Sequence, residues 1–109
     1  MIWGRTDHFP SHIKKYDTIL GFNEPNHSDQ ANMSPETAAH EWIKFQNFYP
    51  HNKLVSPAAA PPHTTEWFDK FFAKCKQLGC RVDYLGKLLD NILIPEHLQY
   101  VPIWQIHLL

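Results

Sequence analysis

Asn23-Glu24 is the pair of neighbours in this sequence best placed to do chemistry. A carboxyl group can give or take a proton, and an adjacent amide can both donate and accept hydrogen bonds. The pair follows Thr18-Ile19-Leu20-Gly21-Phe22, a short apolar run that suits a strand buried on both faces. Pro25 comes next and removes a backbone donor, so the ladder stops there. The amide and the carboxylate thus sit side by side where a buried strand surfaces. In parallel α/β folds the carboxyl ends of strands are where sites are built. The plainer alternative is a strand ending in a polar turn, with Glu24 simply solvated.

Gly21-Phe-Asn-Glu-Pro25 resembles the strand-four motif of retaining glycoside hydrolases with a (β/α)8 barrel, in which an Asn precedes the acid/base Glu. Further words follow in order: Leu20-Gly-Phe-Asn-Glu-Pro-Asn26, Gln30-Ala-Asn-Met-Ser-Pro-Glu36, Leu54-Val-Ser-Pro-Ala58, Glu66-Trp-Phe-Asp69 and Gly79-Cys-Arg-Val-Asp-Tyr-Leu85. The ordered set resembles the Asl1-like glycosyl hydrolase catalytic domain, glycoside hydrolase family 128, whose characterised members act on β-1,3-glucan. It covers residues 1–85 and leaves 86–109 unmatched.

That resemblance implies roles. Glu24 matches the acid/base, and Asn23 matches the Asn that hydrogen-bonds the sugar 2-hydroxyl, a contact that strengthens in the transition state. A retaining glycosidase also needs a second carboxyl group, about 5–5.5 Å from the first. In the family it comes from strand seven, and nothing here matches that strand. Glu96 is the one Glu of the unmatched tail, and its setting, Ile94-Pro-Glu-His-Leu98, does not resemble it. Met1-Ile-Trp-Gly4 resembles the end of the family's third strand. Trp3 is then either an aromatic face for a pyranose ring in the substrate cleft or a core residue.

The elements that must carry these residues can be read from periodicity. Arg5 to Pro10 is a polar connection, and Ser11 to Asp17 a short helical segment with Ile13 and Tyr16 as apolar contacts. Ser34-Pro35-Glu36 is a helix start: a capping hydroxyl, a proline at the first helical position and an acid at the positive end of the dipole. The helix is expected to run to Phe48, with Ala38, Trp42, Phe45 and Tyr49 as its buried stripe, Ala39 and Ile43 beside it, and Pro50 as its stop. Leu54-Val55-Ser56 is a second buried strand. Pro57 to Pro62 is too proline-rich for a helix or inner strand and forms a loop on the same rim as Glu24. Thr64 or Thr65 caps a second helix, Glu66 to Leu78, facing inward through Trp67, Phe68, Phe71, Phe72, Cys75 and Leu78, with Gly79 just past its end. Arg81 to Leu85 is a third strand. This alternation implies parallel strands joined by helical crossovers. By the resemblance, the fold class is α/β, a partial (β/α)8 TIM barrel of about strands three to six.

A complete barrel of this kind takes about 250 residues. The chain has 109, so the expectation is a fragment, a truncated isoform or a faulty gene model, with two uncovered barrel edges that favour aggregation. After Leu85 the text changes. Residues Lys87 to Leu93 are apolar enough for a helix, and Leu98 to Leu109 leaves an apolar terminus, as an alternative exon, a retained intron or a frameshift would.

Composition excludes other classes. The net charge is −1 with no basic stripe, against nucleic-acid binding. There is no long apolar run for a membrane span and no visible signal peptide. An extracellular or cell-wall location is what the resemblance alone implies. Eight His residues include His8 and His12 at helical spacing, but no third ligand, so no metal or other cofactor is expected. Cys75 and Cys80 are either a local disulfide or buried thiols, with thiols preferred. Asn26-His-Ser28 and Asn32-Met-Ser34 are glycosylation sequons. The first is read as accidental because a glycan there would crowd Glu24, and Asn32 as fixing its loop. The function expected is a piece of a retaining glycoside hydrolase with β-glucan as its polysaccharide partner. The alternatives are a non-catalytic isoform with at most weak carbohydrate binding, or an unstable product.

Overall fold

Two three-residue strands set the frame. β1 (Thr18–Leu20) and β2 (Lys53–Val55) lie parallel, with Ile19 opposite Leu54 and Leu20 opposite Val55. Between them runs α1 (Pro35–Phe48), and between β2 and β3 (Tyr84–Leu85) runs α2 (Thr64–Leu78). β2 and β3 are also parallel, with Val55 opposite Tyr84. The computed structural model describes residues 1–86 and, beyond them, the backbone of three short paired segments, 88–89, 92–93 and 101–102. The result is an α/β unit whose first three strands are parallel, in sheet order β1-β2-β3-β6, where β6 is Val101–Pro102.

The local chemistry accounts for these elements. The Ser34 hydroxyl accepts from the Thr37 amide, and Pro35 takes the first helical position of α1. Gly79 ends α2 in the left-handed conformation at φ 81°, and its amide donates to the Cys75 carbonyl at 2.8 Å. The inward stripe of α1 is buried as the spacing predicts: Ala38, Trp42, Phe45 and Tyr49 are fully enclosed. Trp42 is the hub. Its ring meets Phe22, Phe45 and Phe71 edge-on, with centroids 5.6, 4.7 and 5.9 Å away, and its indole N–H donates to the Arg81 carbonyl at 2.9 Å. Tyr49 donates its hydroxyl to the Pro10 carbonyl at 2.7 Å, and burial raises its pKa above the usual phenol value.

Met1 to Gly4 is not assigned as a strand, yet it runs beside β1 in the same direction. Ile2 N–H donates to Leu20 C=O at 2.9 Å, and Asn23 N–H donates to Trp3 C=O at 2.8 Å. The segment Ser11–Lys15 is a single 3-10 turn. Ile13 packs against the core, but Tyr16 is 56% exposed, because the turn is too short to bring both residues to the same side.

Several expectations are corrected. α2 begins at Thr64 rather than Glu66 and has no side-chain cap; His63 precedes it at φ 68°. The preceding loop is already tied down at Ala60 and Pro62, which leaves His63 to make the turn. Cys75 and Cys80 form a disulfide, with Cα atoms 4.8 Å apart, because the Gly79 turn folds the chain back on the helix end. The helix expected over Lys87 to Leu93 is replaced at its described positions by β4 (Leu88–Leu89) and β5 (Ile92–Leu93), paired antiparallel. A helix of that length is marginal, and the antiparallel pairing satisfies the backbone of both segments instead. The β3 edge is not open either: β6 pairs with it, antiparallel. The expectation of an apolar terminus otherwise lies outside the described residues.

Gly21 is where helix and sheet come closest. A Cβ there would lie 2.5 Å from Trp42 Cζ3 and 2.8 Å from the Val55 carbonyl oxygen. Gly4 is the control, since its Cβ would meet Ala31 Cβ at an ordinary 3.5 Å. Gly21→Ala is therefore expected to cost roughly 1–3 kcal/mol. Gly4→Ala should change little. Thermal melts of the two variants check this, and equal midpoints would contradict it.

Candidate active site

The sheet does not end where β1 and β2 do. Gly21 N–H donates to Val55 C=O at 3.0 Å, Ala58 N–H to Phe22 C=O at 2.8 Å and Glu24 N–H to Ala58 C=O at 3.0 Å, with Asn23 and Ala58 in a parallel bridge. The two chain segments therefore leave the carboxyl end of the sheet side by side. Asn23 is held from both sides, by Trp3 through its N–H and by Ala58 through the bridge. The three residues singled out in sequence, Trp3, Asn23 and Glu24, thus share one rim. Asn23 and Glu24 are partly exposed, and Trp3 is 50% exposed on the surface of this unit.

Glu24 has φ 41°, a left-handed conformation uncommon for a residue with a side chain. This turn throws the chain into a tight loop. His27 N–H donates to Glu24 C=O, Gln30 N–H to His27 C=O, and Ala31 N–H returns to Asn23 C=O at 3.2 Å. The Asn23 side-chain amide donates to Gln30 Oε1 at 2.9 Å. Met33 N–H then donates to Pro25 C=O at 2.7 Å, and Asn32, exposed at φ 50°, makes the last turn into α1.

The loop is fastened to its neighbour. Asn26 Nδ2 donates to the carbonyls of Ala60, at 2.6 Å, and Pro62, at 3.2 Å, while its Oδ1 accepts from Ala60 N–H at 3.0 Å. His27 Nε2 donates to the Pro61 carbonyl at 2.9 Å. The Asn26 sequon is thus a structural residue whose amide is fully engaged. A depression of about 630 Å³ opens along this seam, lined by His27, Asn32, His63, Glu66 and Lys70 among others. A second, of about 480 Å³, is lined by Trp3, Arg5, Pro10 and Ala31. Glu24 lines neither. Among the described residues no group of three His, Cys, Asp or Glu could hold a metal ion, and no helix is long and apolar enough to cross a membrane.

A family model described as the glycosyl hydrolase catalytic core matches residues 1–87. The chain belongs to this glycosyl hydrolase family. Solved structures place it with glycoside hydrolase family 128. An endo-β-1,3-glucanase of subgroup I from Amycolatopsis mediterranei, in complex with laminaritriose, is 35% identical, with TM-score 0.65, over 79% of this chain and 37% of that one. One of subgroup II from Sorangium cellulosum is 32% identical, with TM-score 0.66, over 79% and 40%. A curdlan-specific exo-β-1,3-glucanase of subgroup III from Blastomyces gilchristii, in complex with glucose, is 39% identical, with TM-score 0.60, over 67% and 33%. The glycosyl hydrolase unit described here spans well under half the length of these solved relatives. No curated protein matches.

Sequence reasoning missed two parts of this rim. It gave no fastening role to Asn26 and none to Gln30, although Asn26 closes one of the matching words and Gln30 opens another. Gln30 acts across the loop return and Asn26 across to the proline-rich loop, and no local spacing shows either. The Asn26 fastening predicts a loss of stability. Asn26→Ala leaves the buried Ala60 amide without its acceptor and should cost about 1–3 kcal/mol. Asn26→Asp keeps that acceptor but sets a carboxylate oxygen against the Ala60 and Pro62 carbonyls, so it should cost at least as much. Denaturant midpoints of both variants check the order.

Proposed function

We infer that this chain carries the acid/base portion of a retaining β-1,3-glucanase, as a partial (β/α)8 barrel of about strands three to six over residues 1–85. The observation that carries the reading is the Asn23-Glu24 pair at the carboxyl end of a parallel strand in a chain of this glycosyl hydrolase family. In the proposed reaction, the Glu24 carboxyl group gives its proton to the glycosidic oxygen as the bond from that oxygen to the anomeric carbon breaks. A second carboxylate attacks that carbon and forms a glycosyl ester. The Glu24 carboxylate then takes a proton from water, whose oxygen displaces the ester. Asn23 would bond the 2-hydroxyl, and the exposed Trp3 ring would pack on a sugar face.

The second carboxylate belongs to a strand that residues 1–85 do not include, and 86–109 are read as an unrelated tail. Glu24 lines neither depression, as expected of a carboxylate whose opposite wall is built by missing strands. The short span against the solved relatives favours a second reading, a non-catalytic product that keeps part of the cleft and binds glucan weakly.

The purified chain should release no reducing sugar from laminarin above background; sustained release would overturn the missing-carboxylate reading. In a longer product that restores the missing strand, Glu24→Gln should lower kcat by about 10²–10⁴-fold. Unchanged turnover would remove Glu24 from the acid/base role.

A further inference from the structure

Asn23 has a backbone that cannot move and an amide that could point either way. Its N–H is bound to Trp3, its C=O to Ala31, and it bridges Ala58. The torsion that turns a terminal amide is broad and roughly two-fold, so packing alone does not fix which edge carries oxygen and which nitrogen. Among the described residues, the side-chain contact that makes the choice is the 2.9 Å bond from Asn23 Nδ2 to Gln30 Oε1. With its oxygen turned to Asn23, Gln30 meets the nitrogen edge of that amide, because an amide oxygen only accepts; Gln30→Glu, whose carboxylate can only accept, separates this arrangement from its reverse.

We propose that Gln30 is a positioning residue: its side-chain oxygen holds one Asn23 Nδ2 proton and so presents Asn23 Oδ1 and the second N–H to a sugar hydroxyl. The proposal rests on the glucanase reading for the identity of that ligand. A hydroxyl both donates and accepts, so an amide offering one acceptor and one donor in a fixed order suits it. Gln30 can do this because of the loop. The left-handed turn at Glu24, the His27-to-Glu24 and Gln30-to-His27 bonds and the Ala31-to-Asn23 closure carry residue 30 back beside residue 23. The device that aims the amide is therefore the same loop that starts at the proposed proton donor.

The test uses the full chain and two substitutions of opposite expectation. Gln30→Glu keeps an oxygen acceptor and should preserve the orientation. Gln30→Leu keeps similar bulk and removes the acceptor. In the side-chain amide spectrum of the isotopically labelled protein, the Asn23 signals are assigned by their loss in Asn23→Asp. One Asn23 proton should show slowed exchange in the parent chain and in Gln30→Glu, and lose it in Gln30→Leu. Laminaritriose titration should then show binding about tenfold weaker in Gln30→Leu, as loss of one oriented hydrogen bond gives. Gln30→Glu should stay within about threefold of the parent, and Gln30→Leu should add nothing in an Asn23→Ala background. The proposal is overturned if the Asn23 signals ignore Gln30→Leu, if Gln30→Glu is as damaging as Gln30→Leu, or if the two losses add. A parent chain that binds no laminaritriose counts against the glucan reading instead, and the amide spectra alone then decide the positioning.

Discussion

Backbone groups at the end of a buried strand need partners, and here they find them in each other. The parallel ladder between β1 and β2 continues for three or so residues past the strands, through Gly21 to Val55, Ala58 to Phe22 and Glu24 to Ala58. Everything on the rim depends on that continuation. It brings the loop after β1 and the proline-rich loop after β2 out together, so that Asn26 can reach Ala60 and Pro62 and His27 can reach Pro61. It also fixes Asn23 between Trp3 and Ala58. An unpaired buried amide or carbonyl would cost about as much as a lost hydrogen bond. The loops are therefore held by the same accounting that holds the sheet.

Behind the rim, the sheet is held by aromatic packing. Trp42 can reach the strand only because residue 21 has no side chain, and its ring then organises Phe22, Phe45 and Phe71 around one point. At the opposite end, Arg81 ties the last turn of α1 to the strands, donating to the carbonyls of Tyr49 and Asn52 and to Asp83, whose carboxylate also accepts from the Leu54 amide.

Much of this was legible in the sequence. The bounds of α1, its cap, its buried stripe and the Gly79 stop follow from local spacing, because helix ends and faces are decided within a few residues. The strands at Ile19 and Leu54 follow from short apolar runs between turn residues. Features that depend on distant partners were not legible. Whether Tyr16 packs depends on how long the 3-10 turn is, and whether Cys75 meets Cys80 depends on the fold-back at Gly79. The lack of a threonine cap on α2 follows from a loop anchored 34 and 36 residues away by Asn26. Leu88, Leu89, Ile92 and Leu93 have a composition that fits helix or hairpin equally well, and pairing decided between them. Of the rim, the residue types at 23 and 24 could be read, and the partner that aims Asn23 could not.

The backbone of Glu24 has a consequence for how such a chain can change over time. A side chain at φ 41° is held at an energetic disadvantage that glycine would not feel and asparagine would feel less. Folding alone gives no reason for a glutamate there. A lineage that still uses the carboxylate must keep paying in stability at this position, whereas one that no longer needs it gains stability by the first mutation to glycine or asparagine. Glycine or asparagine at position 24 would hold the same turn at less cost, so the glutamate stands there against local backbone preference and not because of it.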